Sequence, residues 1–245
     1  MSYSSSICVI IPCYNEANEF RFQKYHNFLS FSSQVILCFV NDGSTDKTLT
    51  VLEELKNHFP AKVHVISNEK NLGKAESIRN GVRYCNERFD FKTMGYLDAD
   101  LSASLEECIG LVKYLKNNIS FVFGSRKLKK GRVIKRNWFR LIAGRIIAKI
   151  ISNILKIPIH DTQCGCKLFT KKESQLLFEE PFISRWLFDV EIFKRMIKNY
   201  GRDVAQQKMV EVPLKRWVDE GSSKIKASYF FKMWIDLWRI SRIAN

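Results

Sequence analysis

Short apolar runs recur through the first half of the chain, each bounded by polar or turn-forming residues. Ile7–Ile11, Gln34–Val40, Lys62–Ser67, Thr93–Leu97 and Ser120–Gly124 are strand-length, and the stretches between them carry apolar residues at helical spacing. This β-α-β-α rhythm predicts an α/β fold: a doubly wound, mostly parallel sheet flanked by helices, with ligands at the carboxyl ends of the strands.

Two of those ends are acidic. Asn41-Asp42-Gly43-Ser44 follows the second run and Asp98-Ala99-Asp100 the fourth. In extended backbone residues i and i+2 point the same way, so Asp98 and Asp100 can aim both carboxylates at one ligand. Mg²⁺ or Mn²⁺ suits such a pair, because Mg²⁺ needs only one or two protein carboxylates and completes its shell with water and phosphate oxygens. The competing readings are a solvated turn for Asp98-Ala99-Asp100 and a turn or cap for Asp42. Pro12 stops the first strand, and Cys13-Tyr14-Asn15-Glu16 faces the same crevice. Gly43 permits a tight turn, and Ser44, Thr45 or Asp46 can cap a helix beginning near Lys47.

No Gly-x-Gly-x-x-Gly follows the first strand and no Gly-x-x-x-x-Gly-Lys-Ser/Thr loop occurs, which removes the dinucleotide-binding and P-loop classes. Phosphate charge must then be met by metal and basic side chains. A chain of 245 residues with 46% apolar content suffices for one large domain. The expected organisation is a catalytic domain over 1–226, with a basic amphipathic segment at about 126–157, followed by an amphipathic membrane- or partner-binding segment over 227–245. Met1–Ser6 is polar and the first apolar run ends at Pro12, unlike a signal peptide, so a cytosolic start is expected. Seven cysteines, an odd number within apolar segments, fit reduced core thiols. His160, Cys164 and Cys166 lack a fourth zinc ligand nearby.

The net charge of +15 is unevenly placed. Between Cys108 and His160 there is no Asp or Glu, while Lys and Arg occupy thirteen positions. Within that stretch Trp138–Ile151 is apolar but carries Arg140, Arg145 and Lys149, too many charges for a spanning helix. A basic helix with an apolar stripe lies on an anionic membrane surface or packs into a core. The stretch Tyr229–Arg239 has the same character, and the two could form one docking surface. Nucleic-acid binding would account for the basic run but not for the acidic strand ends, so no nucleic-acid partner is expected.

The series Pro12-Cys13-Tyr14-Asn15-Glu16, Asn41-Asp42-Gly43-Ser44-Thr45-Asp46, Asn71-Leu72-Gly73-Lys74, Asp98-Ala99-Asp100, Gly124-Ser125-Arg126, Asp161-Thr162-Gln163-Cys164-Gly165 and Gly221-Ser222-Ser223-Lys224 resembles the family 2 glycosyltransferases of the GT-A fold. Within them it is most similar to the polyprenyl-phosphate (dolichyl-phosphate) hexosyltransferases, leaning towards glucosyl transfer. The resemblance implies an inverting, metal-dependent enzyme moving a hexose from a nucleotide sugar, UDP-glucose before GDP-mannose, to a polyprenyl phosphate. A family 2 enzyme acting on a polysaccharide or other non-lipid acceptor is the alternative. The resemblance further implies that Pro12, Tyr14, Glu16 and Asp42 hold the nucleoside, and that Asp98 and Asp100 hold donor and metal. Lys74 joins the substrate site, and Arg126, Arg140 and Lys224 meet phosphates. Ser102 stands where mannosyl relatives often have Gln, and Gly144 where a phosphate-binding Ser is common. Many relatives carry transmembrane helices; here peripheral attachment to a cytosolic membrane face, or a separate anchoring subunit, is expected.

A phosphomonoester with second pKa near 6 is already anionic at neutral pH, so transfer to it scarcely needs a base. Asp161 is therefore either a general base or an orienting group, with a cap or turn aspartate as the plain alternative. Asp189 and Glu191 lie in an expected helix where they face the acceptor cleft or merely accompany Trp186, Phe188 and Ile192 into the core.

Overall fold

The computed structural model describes residues 7–32, 34–127, 133–135, 138–218 and 229–243. Strands β1 (Ile7–Cys13), β2 (Val35–Asn41), β3 (Val63–Ser67) and β4 (Thr93–Leu97) alternate with helices α1 (Phe22–Phe31), α2 (Thr48–His58) and α3 (Lys74–Arg88). A short helix α4 (Leu105–Ile109) runs into a 3₁₀ turn before β5 (Phe121–Ser125). Then come β6 (Val133–Lys135), α5 (Trp138–Leu155), β7 (Cys166–Thr170), α6 (Lys171–Phe178), α7 (Phe188–Tyr200), α8 (Arg202–Lys208), β8 (Met209–Pro213), β9 (Arg216–Val218) and α9 (Tyr229–Ser241).

The large sheet has the order β3-β2-β1-β4-β7-β5-β8. All its neighbours are parallel except at β7, which runs antiparallel to both β4 and β5. The mostly parallel, doubly wound sheet expected from the sequence is thus present, with one reversed strand. That reversal brings the chain entering β7 to the end of the sheet where β4 leaves it.

Alternation along β1 divides the core. Cys8 and Ile10 join one layer with Ile78, Phe121, Phe169 and Phe193, while Val9, Ile11 and Cys13 join the other with Leu29, Leu52 and Leu105. All seven cysteines are free and buried, as expected of core thiols. In α5 the segment from Ile147 turns Ile151 and Leu155 into the first layer, which is the core-helix alternative for its described side chains. Helix α9 buries Met233, Leu237 and Ile240 there as well and leaves Trp234, Ile235 and Trp238 exposed. No helix among the described residues is long and apolar enough to cross a membrane.

Candidate active site

The acidic loop leaving β4 is shaped by β7. Asp98 N–H donates to Gly165 O (3.0 Å), and the Asp98 carboxylate lies against the Gly165 α-carbon, where any side chain would collide with it. Gly165 is therefore glycine for space: its φ lies outside the left-handed region. Lys74, the first residue of α3, places its Nζ 2.5 Å from Asp98 Oδ1. Ser102 N–H donates to Asp100 Oδ1 (2.8 Å), and Leu101 between them holds φ +55, a conformation bulky residues seldom adopt outside functional turns.

Burial, and then the Asp98 charge, push the Asp100 carboxyl above its usual value. Burial works against the Lys74 ammonium, but Asp98, Asp189 and Asp100 outweigh it and raise the group. One lysine thus faces both members of the acidic pair in a half-buried setting. Two hard carboxylates fit a divalent ion of the Mg²⁺ or Mn²⁺ kind. Among the described residues no group of three or more His, Cys, Asp or Glu forms a fuller cage, so phosphate and water oxygens would complete the shell.

Asp42 is buried, and both its oxygens are engaged. Asn68 Nδ2 (2.9 Å) and Leu72 N–H (2.8 Å) donate to Oδ1, and Gly73 N–H (2.8 Å) donates to Oδ2. This carboxylate shapes the Asn71–Gly73 turn that launches α3 and aims Lys74. Gly43, with φ +64, passes so close to the Lys70–Asn71 backbone that a side chain there would strike it. The loop after β1 is laced to the same turn: Asn15 N–H donates to Ser44 Oγ (3.0 Å), Thr45 N–H to Asn15 Oδ1 (2.9 Å), and Glu16 N–H to Thr48 Oγ1 (2.8 Å). Pro12, Tyr14 and Glu16 are held at this strand end beside Asp42, and Tyr14 is 36% exposed.

Across the 161–165 loop sits the second half of the site. Arg126, one residue past β5, forks onto Asp161: Nε donates to Oδ2 (2.7 Å), Nη2 to Oδ1 (2.7 Å), and the Arg126 backbone N–H to Oδ2 (2.9 Å). Gln163 N–H adds a bond to Oδ1 (3.3 Å). The Trp217 ring lies 5.3 Å from the guanidinium carbon. Burial would raise the Asp161 carboxyl, but the Arg126 charge and hydrogen bonds outweigh it and hold the group below the usual carboxylate range. A carboxylate so engaged is a weak proton acceptor and a strong holder of Arg126.

The sequence reading placed Asp98, Asp100, Lys74, Asp161 and Arg126 in one site, and the structure brings these five together. Arg140 lies in α5, whose side chains before Ile147 lie outside the description, and Lys224 falls outside the described residues. Strand β9 touches the acidic loop, since Val218 N–H donates to Ser102 O (3.0 Å), and it pairs with β6 of the basic segment. Asp189 and Glu191 do not face a cleft. Asp189 is buried against Lys167 and Tyr96, while Glu191 pairs with Arg195 (2.8 Å) and accepts Ile183 N–H (2.9 Å). Lys167 and Trp217 were not singled out from the sequence, and Gly165 figured there only within the Asp161–Gly165 motif, with no role of its own; a lone lysine inside Cys166-Lys167-Leu168-Phe169-Thr170 was the available signal for Lys167.

The glycosyl transferase family 2 model matches residues 8–176. Similar curated proteins include the dolichyl-phosphate beta-glucosyltransferase ALG5D of Trichomonas vaginalis, 29% identical, with 96% of this chain and 72% of that protein covered. The dolichyl-phosphate beta-glucosyltransferase of Drosophila melanogaster is also 29% identical, over 99% of this chain and 79% of that protein. Among solved structures, glucosyl-3-phosphoglycerate synthase from Mycobacterium tuberculosis, in complex with Mn²⁺, UDP-glucose and phosphoglyceric acid, aligns with a TM-score of 0.71 at 15% identity, over 98% of this chain and 81% of that one.

Proposed function

Since this chain belongs to glycosyl transferase family 2, we propose that it transfers glucose from UDP-glucose to a polyprenyl phosphate of the dolichyl type, with Mg²⁺ or Mn²⁺ held by Asp98 and Asp100. The observation that carries this reading is the Arg126–Asp161 fork. The one aspartate nominated as a base is saturated with hydrogen bonds and held ionised. An acceptor hydroxyl would need a base, whereas a phosphate monoester brings its own negative charge. The metal, when bound, neutralises charge building on the departing nucleotide.

The chain's own residues do the rest. Lys74 and Arg126 meet phosphate charge from two sides, and Asp161 fixes the guanidinium plane so that Arg126 offers preorganised donors. Asp42 sets the turn that delivers Lys74, while Pro12, Tyr14 and Glu16 line the nucleoside end. Arg140 and Lys224 are assigned to the acceptor phosphate by resemblance. Attachment to the membrane is peripheral, through α9. Among its described side chains the exposed ones, Lys232, Trp234, Ile235, Trp238 and Arg239, with Arg242 just beyond the helix, are basic or apolar, and its single acid, Asp236, is turned inward to accept from Ser184 Oγ (2.7 Å).

The test is transfer from labelled UDP-glucose, with GDP-mannose in parallel, to polyprenyl phosphate in Mg²⁺-containing liposomes, counting label in the organic phase. EDTA-sensitive lipid label from UDP-glucose is expected. Label confined to a water-soluble product would move the assignment to a non-lipid acceptor. Asp161→Asn should lose turnover by about 10²-fold or more while keeping UDP affinity, and adding Arg126→Lys should cost little further, as expected of residues acting as a unit. Because the folded Asp161 value is depressed, its contribution is complete at neutral pH and is lost only as pH falls below about 4. An acid limb near pH 6 would therefore not come from Asp161; its sources are the acceptor phosphate and the raised Asp100 carboxyl.

A further inference from the structure

Beneath the two halves of the site lies a buried charged cluster. Lys167 of β7 has no exposed surface, and Asp189 of α7 is 3% exposed. The Lys167 ammonium donates to Asp189 Oδ1 (2.6 Å) and to the carbonyl of Cys164 (2.7 Å), and it lies 5.4 Å from the centre of the Tyr96 ring. Tyr96, directly opposite Lys167 in the β4–β7 register, donates its hydroxyl to the same Asp189 oxygen. Burial, then the Asp189 charge, push the Tyr96 phenol well above its ordinary value, so it remains the donor.

Placing a lysine and an aspartate inside an apolar core is expensive, and apolar residues of similar volume often serve stability as well or better. An apolar side chain at 167 could fill the volume and preserve the strand. It could not supply the hydrogen bond to Cys164 O. That carbonyl belongs to the five-residue loop with Asp161 at one end, clamping Arg126, and Gly165 at the other, against which Asp98 rests. Tyr96 lies two residues before Asp98 on the strand that aims it.

We propose that Lys167, anchored by Asp189 and Tyr96, is a positioning residue: it pins the 161–165 loop and so fixes Arg126 and Asp98 relative to each other. The inference rests on the glucosyl-transfer reading for its turnover assay, though not for its binding assay. Lys167 acts through the Cys164 carbonyl, and Asp189 acts by holding Lys167, besides adding its charge to those around Lys74.

The discriminating variant is Tyr96→Phe/Lys167→Met/Asp189→Leu, which removes every polar side chain of the cluster together, leaving no unpaired buried charge and only the Cys164 carbonyl without its lysine donor. A wild-type Tm is expected, with kcat lower by about 10²-fold, the scale of a 1 Å misplacement, and with UDP affinity in the presence of Mn²⁺ weaker by about tenfold. Recovery of Tm together with kcat and the UDP·Mn²⁺ Kd would show the cluster to be structural only. Should that variant not fold, the isosteric Asp189→Asn keeps the packing volume but leaves Lys167 without its counter-charge, so its Tm should fall; kcat measured well below that Tm should still be at least tenfold lower, and wild-type kcat there overturns the proposal. If the wild-type protein glucosylates no lipid, the functional reading falls by itself. The positioning role is then decided by calorimetry with UDP and Mn²⁺, where an unaltered Kd in the variants refutes it.

Discussion

Gly165→Ala should disable the site while sparing the fold. The added methyl would sit within 2.5 Å of all three Asp98 carboxylate atoms, whereas ordinary contacts begin near 3.4 Å. The carboxylate must therefore withdraw by about 1 Å or more, since packed carbon contacts relax near 3.5 Å. Asp98 is a short side chain already engaged by Lys74 (2.5 Å), and its backbone is tied to Gly165 O (3.0 Å), so it cannot yield as the end of a long side chain would. A displacement of 1 Å in a catalytic group costs about 10²-fold in rate, or about 2.7 kcal/mol of transition-state stabilisation. Because φ at Gly165 is not left-handed, alanine adds no backbone strain, and the loss should appear in turnover and Mn²⁺-dependent UDP binding more than in Tm. Gly110→Ala is the matched control, with no heavy atom within 4 Å of the new methyl. The assay is initial-rate transfer to lipid alongside a thermal melt. Gly165→Ala activity within about threefold of wild type, set against the hundredfold expectation, would refute the assignment of Asp98 to a fixed position.

Two further outcomes follow from the charges described above. The raised Asp100 carboxyl weakens the fold when ionised, stability falling as pH rises through its folded value. Asp100→Asn should therefore melt no lower than wild type at pH 7 without divalent ions, yet lose transfer; a clear fall in Tm would sink the electrostatic reading. Trp234→Ser/Trp238→Ser removes two exposed indoles and should cut binding to anionic vesicles by about tenfold or more, at unchanged Tm and unchanged UDP binding, by analogy with other interfacial helices. Equal sedimentation with the vesicles would remove α9 from the docking surface.

The parallel half of the fold was legible because its strands are short, mostly apolar runs bounded by polar or turn-forming residues; Pro12, however, does not stop β1, which continues to Cys13 with Pro12 paired opposite Val40. Strand β7 was not, because Lys167 breaks its apolar pattern and is matched only by Asp189, a residue brought in by a different element. The acidic pair, Lys74 and Arg126 were readable through short motifs. The choice between base and orienting group at Asp161 was not, because it depends on a fork between residues 35 positions apart. Asp189 and Glu191 looked equally available in the sequence; helical phase and the buried partners Lys167 and Arg195 turned both inward.

The reversed strand also sets an order of assembly. A nascent chain that has reached Leu97 already contains β3, β2, β1 and β4, the whole parallel half of the sheet. Strand β4 then ends that half as an open edge, with Gly95 and Tyr96 unpaired on one side until Leu168 and Lys167 are synthesised. About seventy residues must emerge in the interval, at roughly 5–20 residues per second. During those seconds Asp98 has no Gly165 to lean on, and the exposed edge is open to pairing with another chain. The last strand to insert into the middle of the sheet is thus the one that both closes its edge and completes its chemistry.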